Sequence, residues 1–191
     1  MSFEEFKYLV KSDLYRLNGY VTVGLLLRNV FFGREFQYNF WLRACGFSRT
    51  YKFLKYTVYP LAVIQHRRLG YKYGISVSPA TVIGPGFFIG HYGGIVVNTD
   101  ALIGSNCNIS QGVTIGQSNR GKNKGVPTIG DNCYIGPGAK IVGGVTIGKN
   151  VAIGANCVVT KDIADSSVVV GIPGRVISQQ GSTDYVNHTD Y

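Results

Sequence analysis

The sequence predicts a mainly β protein, in which a solenoid of short parallel strands follows an α-helical segment. Two observations carry this prediction. From Ile75 onwards, aliphatic residues recur every six positions and glycine often follows them, as in Ile83-Gly84 and Ile89-Gly90. Before Ile75 this repeat is absent, and apolar residues recur every three or four positions. A period of six fits no α-helix, whereas it fits a solenoid whose units each contribute one short strand and one corner.

The first segment, residues 1–74, is predicted to be helical. Its first helix starts with Ser2 and Glu5, the pattern of a capping box, and further helices are expected to end near Gly46 and Gly70. These helices mix aromatic with basic residues. They are interpreted as a cap over the open end of the solenoid, and docking on an anionic membrane is the alternative.

The net charge of +9 is unevenly distributed. Residues 1–74 hold twelve Lys or Arg residues against four Asp or Glu residues, whereas the remainder holds seven against six. This basic segment suits phosphate-bearing ligands or an anionic surface, but no nucleic-acid-binding motif is present and no nucleic-acid partner is expected. Three widely spaced histidines predict no metal site. Because the start lacks an apolar signal core, a cytoplasmic protein is expected, either free or at the inner face of the membrane.

The repeat extends over residues 75–177 and defines the second domain. Two residues are inserted around Gly93–Val97, and a loop at residues 117–128 causes the second interruption. Three of the four cysteines lie four residues after a repeat position, where alanine and valine also occur, so they are predicted to fill the core rather than to act as nucleophiles. The polar tail, residues 178–191, is expected to be flexible.

Three stretches of the chain carry a family resemblance: "IGPGFFIGHYGGIVVN", "ISQGVTIG" and "VPTIGDNCYIGPGAKIVGGVTIGKNVAIGANCVVTKDI". They resemble the hexapeptide-repeat acyltransferases, and within them the serine acetyltransferase branch, which includes enzymes that O-acetylate sugars in polysaccharide pathways. The resemblance covers about residues 75–177. It implies a left-handed parallel β-helix, a homotrimer with sites between subunits, and acetyl-CoA as co-substrate without a metal.

His91 is the candidate catalytic residue. It follows the repeat position Ile89 by two residues and stands next to Gly93 and Gly94, where the series is interrupted. Acetyl transfer to a hydroxyl needs a base near neutral pH, and imidazole suits this role. The catalytic histidine of the family occupies this position, so the resemblance implies that His91 is the general base.

Three positions depart from the serine acetyltransferase pattern. Ser76 replaces the aspartate that orients the histidine, Gly90 replaces an aspartate that contacts the substrate, and Val126 replaces a second histidine. Because these three positions lack the charged groups that would hold serine, the sequence predicts a sugar hydroxyl as acceptor, in a surface polysaccharide or a lipid-linked glycan. The partner that orients His91 stays open between Ser76, Asp100, Gln111 and a backbone carbonyl.

The cofactor positions come from the resemblance and from stacking. Pro137 and Ala155 are 18 residues apart, so they are expected to share a corner. The resemblance places CoA contacts at Ala139 and Ala155, and Pro137 is a further candidate because it stacks on Ala155. The resemblance also places the end of CoA near the following residues: Thr160, Lys161 and Arg175. Cations at such positions pair with phosphate.

The sequence therefore predicts an acetyl-CoA-dependent O-acetyltransferase acting on a sugar. The alternatives are a serine O-acetyltransferase with an altered acceptor site, a non-catalytic β-helix scaffold, and a membrane-binding module built on the basic arm. The loop at residues 117–128, with Arg120, Lys122 and Lys124, is interpreted either as a solvated loop or as a lid over a neighbouring subunit's site. The sequence does not decide whether the donor is acetyl-CoA or a longer acyl-CoA.

Overall fold

Four helices open the chain. The computed structural model describes the backbone of residues 1–191 and all side chains except that of Glu35. The helices are α1 (Phe3–Asn18), α2 (Val23–Phe32), α3 (Arg34–Ser48) and α4 (Lys52–Tyr73). None of them is both long and apolar enough to cross a membrane over the part of the chain described.

The helix ends follow local chemistry. Ser2 and Glu5 form the expected capping box, since each side chain accepts a hydrogen bond from the other residue's backbone N–H. Gly33 separates α2 from α3. α4 passes through Gly70 and ends at Gly74, whose φ of 63° is the left-handed conformation that glycine adopts without strain. Glycine at position 70 is needed because a Cβ there would lie 2.9 Å from a backbone oxygen.

Fifteen short strands follow along the described backbone. In chain order they are β1 (Ile75–Val77), β2 (Val82–Ile83), β3 (Phe88–Ile89), β4 (Ile95–Val97), β5 (Leu102–Ile103), β6 (Asn108–Ile109), β7 (Thr114–Gly116), β8 (Thr128–Ile129), β9 (Tyr134–Ile135), β10 (Lys140–Val142), β11 (Thr146–Ile147), β12 (Ala152–Ile153), β13 (Val158–Val159), β14 (Val168–Val170) and β15 (Arg175–Ser178).

The strands form the three walls of a prism. Sheet A has the order β1-β4-β7-β10-β13, sheet B has β11-β8-β5-β2, and sheet C has β15-β14-β12-β9-β6-β3. All pairs are parallel except β14 with β15. This is the predicted parallel β-solenoid with an N-terminal helical segment, so the fold class is confirmed.

The repeat of six sets the core. Ile89, Ile109, Ile135 and Ile153 lie in register across sheet C and point into the prism, where each is at most 1% exposed. One coil takes 18 residues from Ile135 to Ile153, but 20 from Ile89 to Ile109 and 26 from Ile109 to Ile135. The insertion and the loop therefore lengthen two coils at their corners and leave the strands in register.

The cysteines of the solenoid are core residues, as the sequence predicted. Cys107, Cys133 and Cys157 are fully buried. The thiols of Cys107 and Cys133 contact the backbone oxygens of Gly130 and Gly148 at 3.2 and 3.1 Å. The contact with Cys133, followed by burial, raises the pKa of Cys107, and burial raises the pKa of Cys157. Both shifts disfavour the nucleophilic thiolate.

A buried ion pair attaches the helices to the first coil. Arg43 of α3 makes two hydrogen bonds to the carboxylate of Asp13 in α1, at 3.0 and 3.2 Å, and donates to the backbone oxygens of Ile83 and Gly84. The same carboxylate accepts from the backbone N–H of Phe87 at 2.8 Å. Both charges are thus neutralised at the corner between β2 and β3.

The tail differs from the expected flexible segment. Tyr185 stacks on Tyr134 of β9 with ring centroids 4.4 Å apart, and its backbone oxygen accepts from Asn108. The Tyr191 hydroxyl donates to Asn106 at 2.8 Å, and Ser182 is buried. Aromatic residues spaced along the polar tail hold it against sheet C, and composition alone did not show this.

We predict that Asp13→Ala lowers the free energy of unfolding by about 3–5 kcal/mol, because it leaves the buried Arg43 guanidinium without its counter-charge. Urea unfolding followed by circular dichroism measures this loss. Glu4→Ala is the control, since it removes the exposed pair with Lys7, and little change is expected. A loss of less than about 1 kcal/mol in Asp13→Ala would contradict the role assigned to the pair.

The burial of His66 in α4 predicts that the stability of the folded protein depends on pH. His66 is 7% exposed, its ring lies 4.7 Å from that of Tyr38, and burial followed by the charge of Arg67 lowers its pKa to about 4. Between pH 6.5 and 4 the unfolded chain binds a proton that the folded chain excludes, so stability is lost as the pH falls, by about 3 kcal/mol. His66→Phe removes this titration. We expect its unfolding free energy to fall less than that of the parent between pH 7 and 4, and parallel curves would refute the assignment.

Candidate functional site

Two edges of the prism carry the predicted site residues. We call the corners that join sheet C to sheet A the histidine edge, which holds His91, Gln111, Pro137 and Ala155. The strand register places these four residues in successive coils. We call the corners that join sheet A to sheet B the loop edge, and they hold Asp100, the loop at residues 117–128, Thr160 and Lys161.

The two-residue insertion falls at His91 itself. On the β3 side, the register of sheet C sets Gln111 opposite His91. On the β4 side, the N–H of Gly112 donates to the carbonyl of Gly93 at 2.7 Å. Residues 91–93 therefore occupy the space that one residue fills in the next coil, and His91 is exposed at this bulge.

Glycines make the rest of this corner flat. Gly94, Gly112 and Gly138 stack in successive coils and all have positive φ angles. A Cβ added at Gly112 would lie 3.3 Å from the Cα of Gly138, so a side chain there would be strained and crowded. The exposed imidazole of His91 thus lies at the end of a row of three stacked glycines, a strip of backbone without side chains.

The structure separates the residues considered for orienting His91. Asp100 lies on the loop edge, at the opposite end of β4, so within one chain it is not a neighbour of His91. Gln111 is exposed at the equivalent corner of the next coil. Ser76 is exposed on the outer face of β1, beside Val96 of β4. Of these three side chains, Gln111 lies on the histidine edge, and Ser76 lies on sheet A in the strand next to β4.

The cofactor candidates are divided between the two edges. Pro137 and Ala155 lie on the histidine edge. Arg175 of β15 pairs with Val170 of β14, and β14 is the strand next to β12 in sheet C. Ala139 is fully buried, and its backbone N–H and carbonyl already bond to Gly136 and Thr114, so this chain does not present it to a ligand. Thr160 and Lys161 are exposed on the loop edge. The structure therefore does not bring all six residues together in one chain.

Lys140 was missed by the sequence analysis. It points outward from β10, between the buried residues Ala139 and Ile141, and its ammonium group bonds to the carbonyl of Gly112 on the histidine edge. The alternation of buried and exposed positions in this strand was the available signal. Lys140 brings a positive charge to the strip of glycines.

Tyr92 joins the histidine corner to the helices. It is half-buried, its ring lies 5.0 Å from that of Tyr73, and its hydroxyl accepts a hydrogen bond from Arg34 at 3.2 Å. The residue next to His91 is therefore held by α3 and α4. The helices, predicted from the sequence to cap the solenoid, thus also contact the corner that carries His91.

The loop at residues 117–128 is held against later coils. Ser118 and Gly125 pair through their backbones, and the side chain of Asn123 donates to the carbonyl of Thr160 at 2.6 Å. Val126 packs on the core of the solenoid. The basic residues of the loop thus lie on the loop edge, away from the histidine corner of the same chain.

Metal ligation finds no support in the part of the chain that the structure describes, where no group of three or more His, Cys, Asp or Glu side chains is placed to hold an ion. The chemistry available at the histidine edge is that of an accessible imidazole, backbone N–H groups at glycine corners, and the cations Lys140 and Arg175. This combination suits proton transfer and the binding of an anionic or amide-bearing ligand.

The comparisons with known proteins agree with this architecture. Residues 127–161 match the family described as bacterial transferase hexapeptide (six repeats). This part of the solenoid is thus similar to the hexapeptide-repeat transferases. A serine acetyltransferase of Bacillus pumilus is 44% identical over 140 residues, which are 72% of this chain and 64% of that protein. The chain therefore spans less than two thirds of the length of this relative.

Solved structures give the same result over more of the chain. A serine acetyltransferase of Neisseria gonorrhoeae in complex with serine superposes with a TM-score of 0.72 at 27% identity, over 93% of this chain and 71% of that one. A serine acetyltransferase of Brucella abortus in complex with coenzyme A gives a TM-score of 0.74 at 26% identity, over 94% and 70%. The similarity thus includes the helical segment as well as the solenoid.

These matches contradict the prediction of a sugar acceptor in polysaccharide biosynthesis. The proteins that resemble this chain in sequence and in fold are serine acetyltransferases, which favours the alternative in the sequence analysis. The prediction failed because it rested on the absence of charged residues at three positions, Ser76, Gly90 and Val126. It did not consider charges that the helices bring to the histidine corner.

Proposed function

We propose that the chain is an acetyl-CoA-dependent serine O-acetyltransferase, with His91 as general base. The observation that carries the proposal is the exposed His91 at a bulged corner of a solenoid whose relatives are serine acetyltransferases. The altered residues Ser76, Gly90 and Val126 mean that this acceptor site differs in its side chains from the family pattern.

The reaction moves one proton, in two steps. His91 takes the proton of the acceptor hydroxyl as its oxygen attacks the thioester carbonyl, the C–S bond breaks, and the proton passes to the departing CoA thiolate. Backbone N–H groups at the glycine corner are suitable donors for the oxyanion. Transfer is direct, because Cys107, Cys133 and Cys157 are buried in the core and offer no accessible nucleophile.

The histidine edge suits an extended thioester cofactor. Coils are spaced about 4.8 Å apart, so Ala155 lies roughly 14 Å from His91, and Arg175 lies two strands further along sheet C. Pro137 lies between His91 and Ala155. The exposed guanidinium of Arg175 has no carboxylate within 4.0 Å among the described side chains, which leaves it available for phosphate.

Assembly completes the proposed site. Thr160, Lys161 and the basic loop lie on the loop edge, so they reach a cofactor on the histidine edge only if another copy of the chain supplies them. The exposed Val82 and Leu102 lie side by side on the outer face of sheet B, 62% and 46% exposed, which suits contact between chains. We therefore propose a homotrimer with acetyl-CoA bound between subunits.

We predict that His91→Ala lowers kcat for acetylation of L-serine by about 10²- to 10⁴-fold and leaves CoA binding unchanged, because it removes only the base. Release of CoA thiol measures the rate, and calorimetry measures binding. His188→Ala is the matched control, since this histidine lies in the tail against Tyr15. Full activity in His91→Ala would refute its role, and a folded parent that binds no CoA would favour a scaffold.

We predict that Lys161→Ala weakens CoA binding by about 10-fold or more, through loss of a charge-assisted contact with phosphate, while kcat at saturating acetyl-CoA changes little. Calorimetric titration with CoA checks this. Lys149→Ala is the control, because this exposed lysine is paired with Asp131 at 3.0 Å at another corner. Equal affinities in the parent and Lys161→Ala would remove Lys161 from the proposed cofactor site.

A further inference from the structure

A cavity lies between the helices and the corner that carries His91. It has a volume of about 440 Å³ and is lined by α2, the start of α3, the end of α4 and the corner after β3. Aromatic and cationic residues dominate its walls: Phe31, Phe32, Arg34, Lys72, Tyr73 and Tyr92. No role has yet been assigned to it.

The walls of this cavity are held by contacts between their own side chains. Arg34 donates to the Tyr92 hydroxyl at 3.2 Å, and the Tyr73 hydroxyl donates to Gln37 at the same distance. The ammonium group of Lys72 lies 5.2 Å from the centre of the Tyr73 ring. Each of the two cations therefore contacts one tyrosine of the Tyr73–Tyr92 pair.

The cavity has an excess of positive charge. Among the described side chains, no carboxylate lies within 4.0 Å of Arg34 or Lys72. A guanidinium has five N–H donors, and the contact with Tyr92 uses one of the two Nη atoms of Arg34. Both groups are exposed and therefore keep hydrogen-bonding capacity for an anion.

The cavity also adjoins the proposed reaction centre. Tyr92 follows His91 directly, and consecutive Cα atoms are about 3.8 Å apart. Free serine carries a carboxylate close to its hydroxyl, so an enzyme that acetylates it needs a cation near the base. Gly90 and Val126 supply none. Lys140 is engaged by the carbonyl of Gly112, and Arg175 lies at the far end of this edge, five strands of sheet C away from β3.

We propose that Arg34 and Lys72 bind the carboxylate of the acceptor in this cavity, while the acceptor hydroxyl faces His91. The inference rests on the proposed function. It assigns acceptor selectivity to the helical segment rather than to the solenoid loops. The acceptor class is a hydroxy compound with a carboxylate next to the carbon that bears the hydroxymethyl group.

Arg34→Gln tests the proposal, because it keeps hydrogen-bonding capacity and removes the charge. We expect KM for L-serine to rise about 10- to 100-fold, and KM for L-serinamide, which lacks the carboxylate, to change less than about twofold. The kcat and the KM for acetyl-CoA stay as in the parent. Lys72→Gln shows the same pattern. Arg49→Gln, at the other end of α3, is the matched control and leaves all constants unchanged.

Two results overturn the proposal while the proposed function stands: an unchanged KM for L-serine in both variants, or an equal rise for L-serine and L-serinamide. A parent that acetylates no serine is examined by calorimetry, with L-serine and L-serinamide titrated into the CoA-bound protein. Binding of L-serine that is lost in Arg34→Gln supports the carboxylate site although the proposed function fails. Absence of L-serine binding to the parent overturns both.

Discussion

Close stacking of the coils is the constraint on which the rest of the structure depends. Each coil hydrogen-bonds to the next along three walls, and only one layer of side chains fits inside the prism. Isoleucine at every wall and cysteine or alanine near the corners fill this space, and a larger residue at a corner would separate neighbouring coils. Insertions are therefore tolerated only where they leave the prism, at His91 and at residues 117–128.

This constraint explains why chemistry appears at the corners. Most strands of the walls bury one face, and the inner strands of each sheet hydrogen-bond along both edges, whereas the corners expose backbone groups and accept extra residues. At the histidine edge, glycines keep the backbone accessible beyond the bulge at His91. The basic side chains of the loop at residues 117–128 lie on the loop edge. A single chain therefore presents two different binding surfaces and not one complete cleft.

The helices contribute more than a cover for the first coil. The ion pair between Asp13 and Arg43 fixes α1 and α3 on the corner between β2 and β3, with every charged oxygen and most guanidinium donors satisfied. This anchorage sets the start of α3 and the end of α4 beside Tyr92. Charges from residues far apart in the chain thereby reach the neighbourhood of His91.

The repeat of six by itself determined the solenoid, its core positions and the burial of the cysteines, because each coil must place an aliphatic side chain inside at fixed intervals. The interruption of the series also marked His91 as unusual. What sequence reasoning missed depends on packing between distant segments: the anchored tail through Tyr185, the cation Lys140 on the histidine edge, and the cavity at Arg34.

The error over the acceptor has the same origin. Three uncharged positions on the solenoid suggested an uncharged acceptor, since local spacing shows only which residues share a corner. Only the tertiary structure decided which charges from the helices lie beside that corner, because the docking of α3 and α4 follows from buried contacts that have no periodic signature in the sequence.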